Sequence, residues 1–165
     1  MLPDCYMAVA SLSHAGCKLR LESVLAMAKK VLIIEDEPEI RAILAMSLQR
    51  VGGYEVVAAA DGIEGIEVAA RESPDLIILD ALMPKLDGYA TCRHVKADRK
   101  LSHIPVVFLT AKTAPREVER AMRAGAAGCV AKPFDPLTLA EQIAKIADGS
   151  GDVRGRATTR HAHKG

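Results

Sequence analysis

Four short stretches of this chain set reactive side chains just past an apolar run. Glu35-Asp36-Glu37 follows the run 31–34, Asp80 follows 76–79, Thr110 follows 106–109, and Lys132-Pro133 follows 128–131. Taken singly, each has a plain explanation. An acid after a strand commonly serves as a turn residue or helix cap, a lone threonine commonly caps a helix, and a lone lysine is usually a solvated end. Taken together they suggest more. If the four runs are parallel strands of one sheet, their carboxyl ends lie along one edge, where ligands bind in such sheets. Three acids, a hydroxyl and an ammonium then share one cleft.

Carboxylates crowded together repel one another unless a cation joins them. Oxygen donors without His or Cys favour a hard divalent ion, Mg²⁺ or Mn²⁺. The chemistry expected of such a cleft is phosphoryl transfer. Asp80 is the nucleophile and forms an aspartyl phosphate. Asp36 and Asp80, helped by Glu35, hold the ion, which neutralises charge on the transferring group. Lys132 pairs with a phosphoryl oxygen, and Thr110 donates a hydrogen bond to the same group. No external base is required, because the nucleophile is already a carboxylate.

The elements that must position these residues alternate regularly from Lys30 onward. Strands are expected over 31–34, 54–59, 76–79, 106–109 and 128–131, the central ones as the continuous apolar runs of a buried parallel sheet. A helix should begin near Pro38 and carry the stripe Ile40, Ile43, Leu44, Leu48, Val51 until Gly52-Gly53 stops it. A second is capped by Asp61 and runs to about Arg71, before Ser73-Pro74; a third covers 88–97. A fourth covers 115–124 and closes at Gly125, and a fifth starts with Asp135 as cap and Pro136 in its first turn, reaching about Ala147. Five strands alternating with five helices predict an α/β fold with helices on both faces of a parallel sheet.

Composition narrows the function classes. Half of the 165 residues are hydrophobic, enough to build one domain's core, and 26% are charged, as in ordinary globular chains. With no Trp, three Tyr and two Phe, a base-stacking nucleic-acid surface is not expected. Net charge is +2 over 1–30 and +3 over 150–165, leaving −4 in the periodic middle. An acidic centre argues against nucleic-acid binding by the folded part. Cys5, Cys17, Cys92 and Cys129 have no C-x-x-C spacing, so neither a zinc site nor a disulfide framework is expected. No stretch reaches the length of a membrane span, and the N-terminus lacks the charged start of an export signal. A cytoplasmic protein is expected.

The domain boundaries follow. Residues 1–27 read as an N-terminal extension, a short helix or a non-native start ahead of Met27-Ala28. The phosphoacceptor domain is expected over 28–148, and 149–165 as a basic, disordered tail containing His161 and His163.

The blocks Val31-Leu32-Ile33-Ile34-Glu35-Asp36-Glu37-Pro38, Pro74-Asp75-Leu76-Ile77-Ile78-Leu79-Asp80-Ala81-Leu82-Met83-Pro84-Lys85-Leu86-Asp87-Gly88, Ile104-Pro105-Val106-Val107-Phe108-Leu109-Thr110-Ala111 and Lys132-Pro133-Phe134 occur in this order. On these the chain resembles the receiver domain of bacterial two-component response regulators, over about residues 28–147. The resemblance implies a flavodoxin-like three-layer sandwich with sheet order 2-1-3-4-5. It implies Asp80 as phosphoacceptor, Glu35 and Asp36 as the acidic pair, and the Leu82 backbone carbonyl as a further metal ligand. It makes Thr110 the switch hydroxyl, Ala111 its small neighbour, and Lys132-Pro133 a cis peptide. The implied partners are a sensor histidine kinase or histidine phosphotransfer protein and a downstream protein target, for a monomer or weak dimer that is a switch rather than an enzyme. One position departs: the family commonly has Tyr or Phe where Cys129 stands, so Cys129 reads as a small core filler and an aromatic flip at that position is not expected.

Two rival functions fit less well. Phosphohydrolases with a similar site generally place a second acid two residues after the nucleophile as proton donor, and here that residue is Leu82. A DNA-binding regulator needs a recognition helix, and the sequence offers only its short basic tail, after which no second folded domain is expected.

Overall fold

The computed structural model describes residues 29–111 and 114–149. The N-terminal extension, Cys5, Cys17 and most of the basic tail with its two histidines lie outside the described residues.

Among the described residues five strands and five helices alternate: β1 (Lys30–Ile34), α1 (Pro38–Arg50), β2 (Glu55–Ala59), α2 (Gly62–Glu72), β3 (Leu76–Asp80), α3 (Gly88–Ala97), β4 (Val106–Thr110), α4 (Pro115–Arg123), β5 (Gly128–Ala131) and α5 (Leu139–Ala147). All four strand pairings are parallel, in the order β2-β1-β3-β4-β5. Every residue of β3 and β4 is buried, which is why these runs show no polar alternation.

Successive strand side chains point to opposite faces and split the core in two. One face sets Leu32, Ile34, Ile77, Leu79 and Phe108 against α2, α3 and α4. The other sets Val31, Ile33, Ile78, Val107 and Leu109 against α1 and α5. The result is the expected three-layer sandwich.

Local signals explain most boundaries. Asp61 caps α2 by accepting from Glu64 N at 2.9 Å, and Asp87 caps α3 by accepting from Ala90 N at 2.7 Å. Beyond α4, Gly125 takes φ +99, a conformation that a side chain would strain. One boundary differs from expectation. Asp135 and Pro136 do not open the fifth helix, which starts one turn later with Thr138 as its N-cap residue. The Asp135 carbonyl instead accepts from Thr138 N and Leu139 N in a single turn. The Ser47 hydroxyl of α1 donates to the Pro136 carbonyl, so that oxygen is engaged from outside.

Candidate phosphoacceptor site

The site is built where β1, β3, β4 and β5 end. Asp80 is the last residue of β3, paired in register with Leu109, and is 5% exposed. Glu35, one residue past β1, is completely buried. Asp36 follows it and is half-buried. Glu35, Asp36 and Asp80 each offer a carboxylate oxygen, all within 4.8 Å of one another. Thr110 ends β4, is buried, and its carbonyl accepts from Lys132 N at 2.9 Å. Lys132 thus leaves β5 directly beside Thr110. Its Nζ lies 2.8 Å from Glu35 Oε2 and 3.2 Å from Asp80 Oδ1. The peptide between Lys132 and Pro133 is cis, as expected.

The electrostatics follow from burial. Removal from water pushes the Asp80 carboxyl above the usual carboxylate range, against the pull of Lys132 and a hydrogen bond from the Leu82 backbone amide. Burial likewise raises Glu35 against the bond from Lys132, with the Asp80 charge adding to the rise. For Lys132, burial alone would lower the ammonium, but the Glu35 bond and the Asp80 charge outweigh it and hold the group above its ordinary value. Among the described residues, three carboxylates therefore face one ammonium. The donors are hard oxygens with no imidazole or thiolate among them, so the residues present fit a divalent cation of the Mg²⁺ type.

The backbone around the acids is held closely. Arg41, on α1, donates from Nη1 to the Glu35 carbonyl at 2.6 Å and to the Asp36 carbonyl at 3.4 Å. Gly88 packs against the Asp80 carbonyl, where any Cβ would collide. Its amide donates to the Ala81 carbonyl at 3.2 Å. This anchors the loop 81–87 to the end of β3. Leu82 lies in this loop with a side chain 56% exposed, and no acid occupies its position.

The structure thus brings together Glu35, Asp36, Asp80, Thr110 and Lys132, along with the Leu82 backbone. Sequence reasoning missed Arg41. It sits on a predicted helix six residues after Glu35, a spacing that could have pointed back to the acidic turn. Reasoning from sequence also missed Tyr89, a fully buried aromatic on α3 whose partners are distant in the chain. Cys129 and Cys92 are buried packing residues, and burial pushes both thiols up to about 11.

Comparison with known proteins agrees with this fold. Residues 31–144 match the family model for the response regulator receiver domain. The chain is 42% identical over 118 residues to a probable transcriptional regulator, ycf27, of Cyanophora paradoxa, covering 72% of this chain and 48% of that protein. It is 36% identical over 120 residues to the alkaline phosphatase synthesis transcriptional regulatory protein PhoP of Bacillus subtilis, covering 73% and 49%. The chain therefore spans about half the length of the curated relatives it matches. Among solved structures, the chemotaxis protein CheY4 of Vibrio cholerae superposes with a TM-score of 0.68 at 34% identity, covering 72% of this chain and 98% of that one. The receiver domain of the sensor histidine kinase PA1611 of Pseudomonas aeruginosa, solved with magnesium in its active-site cleft, gives 0.67 at 30% identity, covering 73% and 98%.

Proposed function

The chain belongs to the response regulator receiver domain family, and on that premise we propose that it is a phosphorylation-dependent signalling switch whose acceptor is Asp80. The observation that carries this reading is the single cleft in which Asp80 meets Glu35, Asp36 and Lys132 at the strand ends. The donor is a sensor histidine kinase or a histidine phosphotransfer protein, and the compartment is the cytoplasm. Among the described residues no helix is long and apolar enough to cross a membrane.

In this reading Asp80 Oδ attacks the phosphorus of a phosphohistidine, the P–N bond breaks, and the imidazole nitrogen keeps the electron pair. Glu35, Asp36, Asp80 and the Leu82 carbonyl are the residues that would hold Mg²⁺, which when bound offsets the negative charge of the transferring group. The PA1611 relative, crystallised with magnesium in its cleft, supports that assignment. Lys132 offers its ammonium to a phosphoryl oxygen, and Thr110 offers its hydroxyl to another. Arg41 fixes the carbonyls of the acidic turn, so that Glu35 and Asp36 keep their aim. Because Leu82 cannot give a proton to a leaving group, a phosphohydrolase reading lacks its acid.

Output is by protein contact through the face formed by α4, β5 and α5, which lies next to Thr110 and Lys132. A second reading, output on DNA, draws on the curated relatives named as transcriptional regulators, of which this chain spans about half. Phosphotransfer from a panel of phosphorylated histidine kinases and phosphotransfer proteins tests the first reading. Rapid transfer to the chain, absent in Asp80→Asn, supports it, and no transfer from any donor contradicts it. A gel shift on DNA at moderate salt, with and without phosphorylation, separates the two outputs.

A further inference from the structure

We propose that Tyr89 is a latch that holds α4 in its unphosphorylated arrangement, by a hydrogen bond to Glu117 and a ring seated beneath Arg120, and that phosphorylation of Asp80 works against this latch. The second half rests on the reading of Asp80 given above. The first half stands without it.

Tyr89 is the second residue of α3 and is 2% exposed. Its hydroxyl donates to Glu117 Oε2 at 2.7 Å, from α3 to α4. The Arg120 guanidinium, also on α4, lies 3.9 Å from the Tyr89 ring centroid, and Arg120 Nη2 is 3.8 Å from Asp87 Oδ2. One ring therefore engages two residues of the same helix, through a hydrogen bond and a cation–π contact. Burial, and then the Glu117 bond, push the phenol up to about 12, so it remains a donor throughout the neutral range.

The rest of α4 is thinly attached. Ala121 is its one buried residue, and Val118 is partly buried. By contrast α5 buries Leu139, Ala140, Ile143 and Ile146. A helix with so little apolar anchorage depends on its polar contacts for position.

Two routes connect this ring to the acceptor. Along the chain, Tyr89 follows Gly88, which packs on the Asp80 carbonyl and bonds to Ala81. Through the sheet, the Tyr89 ring stacks on Phe108 with centroids 5.2 Å apart and planes at 25°. Phe108 lies two residues before Thr110 on the same face of β4. Cys129 pairs in register with Phe108 and enters the same apolar cluster. With a small thiol at 129, the aromatic mass beside Phe108 comes from α3 rather than from β5. A displacement of Thr110 or of the 81–87 loop is thus felt at Tyr89, and through Glu117 and Arg120 at α4. Linkage makes the coupling reciprocal: releasing the latch must favour the arrangement that phosphorylation favours.

The experiment uses the full chain as wild type, Tyr89→Phe and Glu117→Ala, the second of which removes the acceptor. Tyr89→Phe removes one hydroxyl and keeps the stacked ring. Amide exchange is measured with and without beryllofluoride and Mg²⁺, a phosphoryl mimic whose binding is followed by its fluorine resonance. Without the mimic, exchange across α4 should rise about fivefold or more in both variants, the lower range of allosteric coupling, while β3 and β4 stay protected. In wild type the mimic should raise α4 exchange similarly and shift the Tyr89 ring-carbon resonance, identified by its loss in Tyr89→Phe. Tyr89→Phe should also bind the mimic more tightly. Unchanged α4 exchange in both variants overturns the latch. Binding of the mimic with no change at Tyr89 overturns its link to phosphorylation. Failure of the mimic to bind at all counts against the phosphoacceptor reading, while the variants still decide the latch.

Discussion

The Lys132 ammonium lies nearer to Glu35 Oε2, at 2.8 Å, than to Asp80 Oδ1, at 3.2 Å. Glu35 is wholly buried, so the lysine neutralises a charge that has no access to water. On the proposed function, a phosphoryl group on Asp80 would compete with Glu35 for the same ammonium.

Removing Lys132 should therefore cost stability as well as signalling. Lys132→Ala leaves a buried carboxylate without its cation, a change worth about 3 kcal/mol. Urea unfolding in chelator at neutral pH measures it, and a loss below about 1 kcal/mol, the scale of an exposed pair, contradicts the expectation. The variant should still accept a phosphoryl group on Asp80 but fail to change the α4 surface.

Asp36 faces the cleft while remaining partly open to water, and its removal should act on metal binding more than on the fold. Asp36→Ala should weaken Mg²⁺ binding by about tenfold or more, equivalent to about 1.4 kcal/mol, and slow phosphorylation without abolishing it. Amide shifts at the end of β3 during a Mg²⁺ titration provide the affinity. An unaltered midpoint contradicts the assignment.

Much of this was legible in the sequence. The apolar runs 31–34, 76–79 and 106–109 could be read as strands because buried parallel strands show no alternation, and the acids at their ends identified the cleft once the runs were taken as one sheet. The order of the strands came from the resemblance, because periodicity does not say which strands are neighbours. The late start of α5 was not legible: Asp135-Pro136 has the composition of a helix start, and what engages the Pro136 carbonyl is Ser47, far away in the chain. Tyr89 was hidden for the same reason, since its bond to Glu117 spans 28 residues and nothing local to either helix announces it.

The two buried thiols give a pH prediction. Burial pushes Cys92 and Cys129 up to about 11, so the folded chain keeps protons that unfolded thiols begin to lose near pH ~8.5. The resulting stability is fully present below the unfolded value and is lost as pH rises through about 11. At mildly alkaline pH, site-resolved alkylation should leave both residues unmodified in the native chain and label both in urea. Fast native labelling of Cys129 contradicts its role as packing.

Starting the chain at Met27 should leave the domain intact. Periodicity is weak before that residue, and the family match begins at residue 31. The truncated chain should keep its unfolding free energy within about 1.4 kcal/mol, a tenfold change in the equilibrium constant, and keep its phosphorylation rate. A larger loss shows that residues 1–26 pack on the domain.

Asp80→Asn should preserve the fold and, in chelator, raise its unfolding midpoint in urea, because one charge leaves a crowded acidic cluster. A lower midpoint contradicts that view of the cleft.

The most direct measurement is the intact mass of the full chain after incubation with acetyl phosphate or phosphoramidate, in Mg²⁺ and in chelator. The account predicts a gain of one phosphoryl group in Mg²⁺ only, stable in acid and removed by base or hydroxylamine, as an acyl phosphate must be. The same adduct on the Asp80→Asn protein, or full labelling in chelator, contradicts Asp80 as the metal-dependent acceptor.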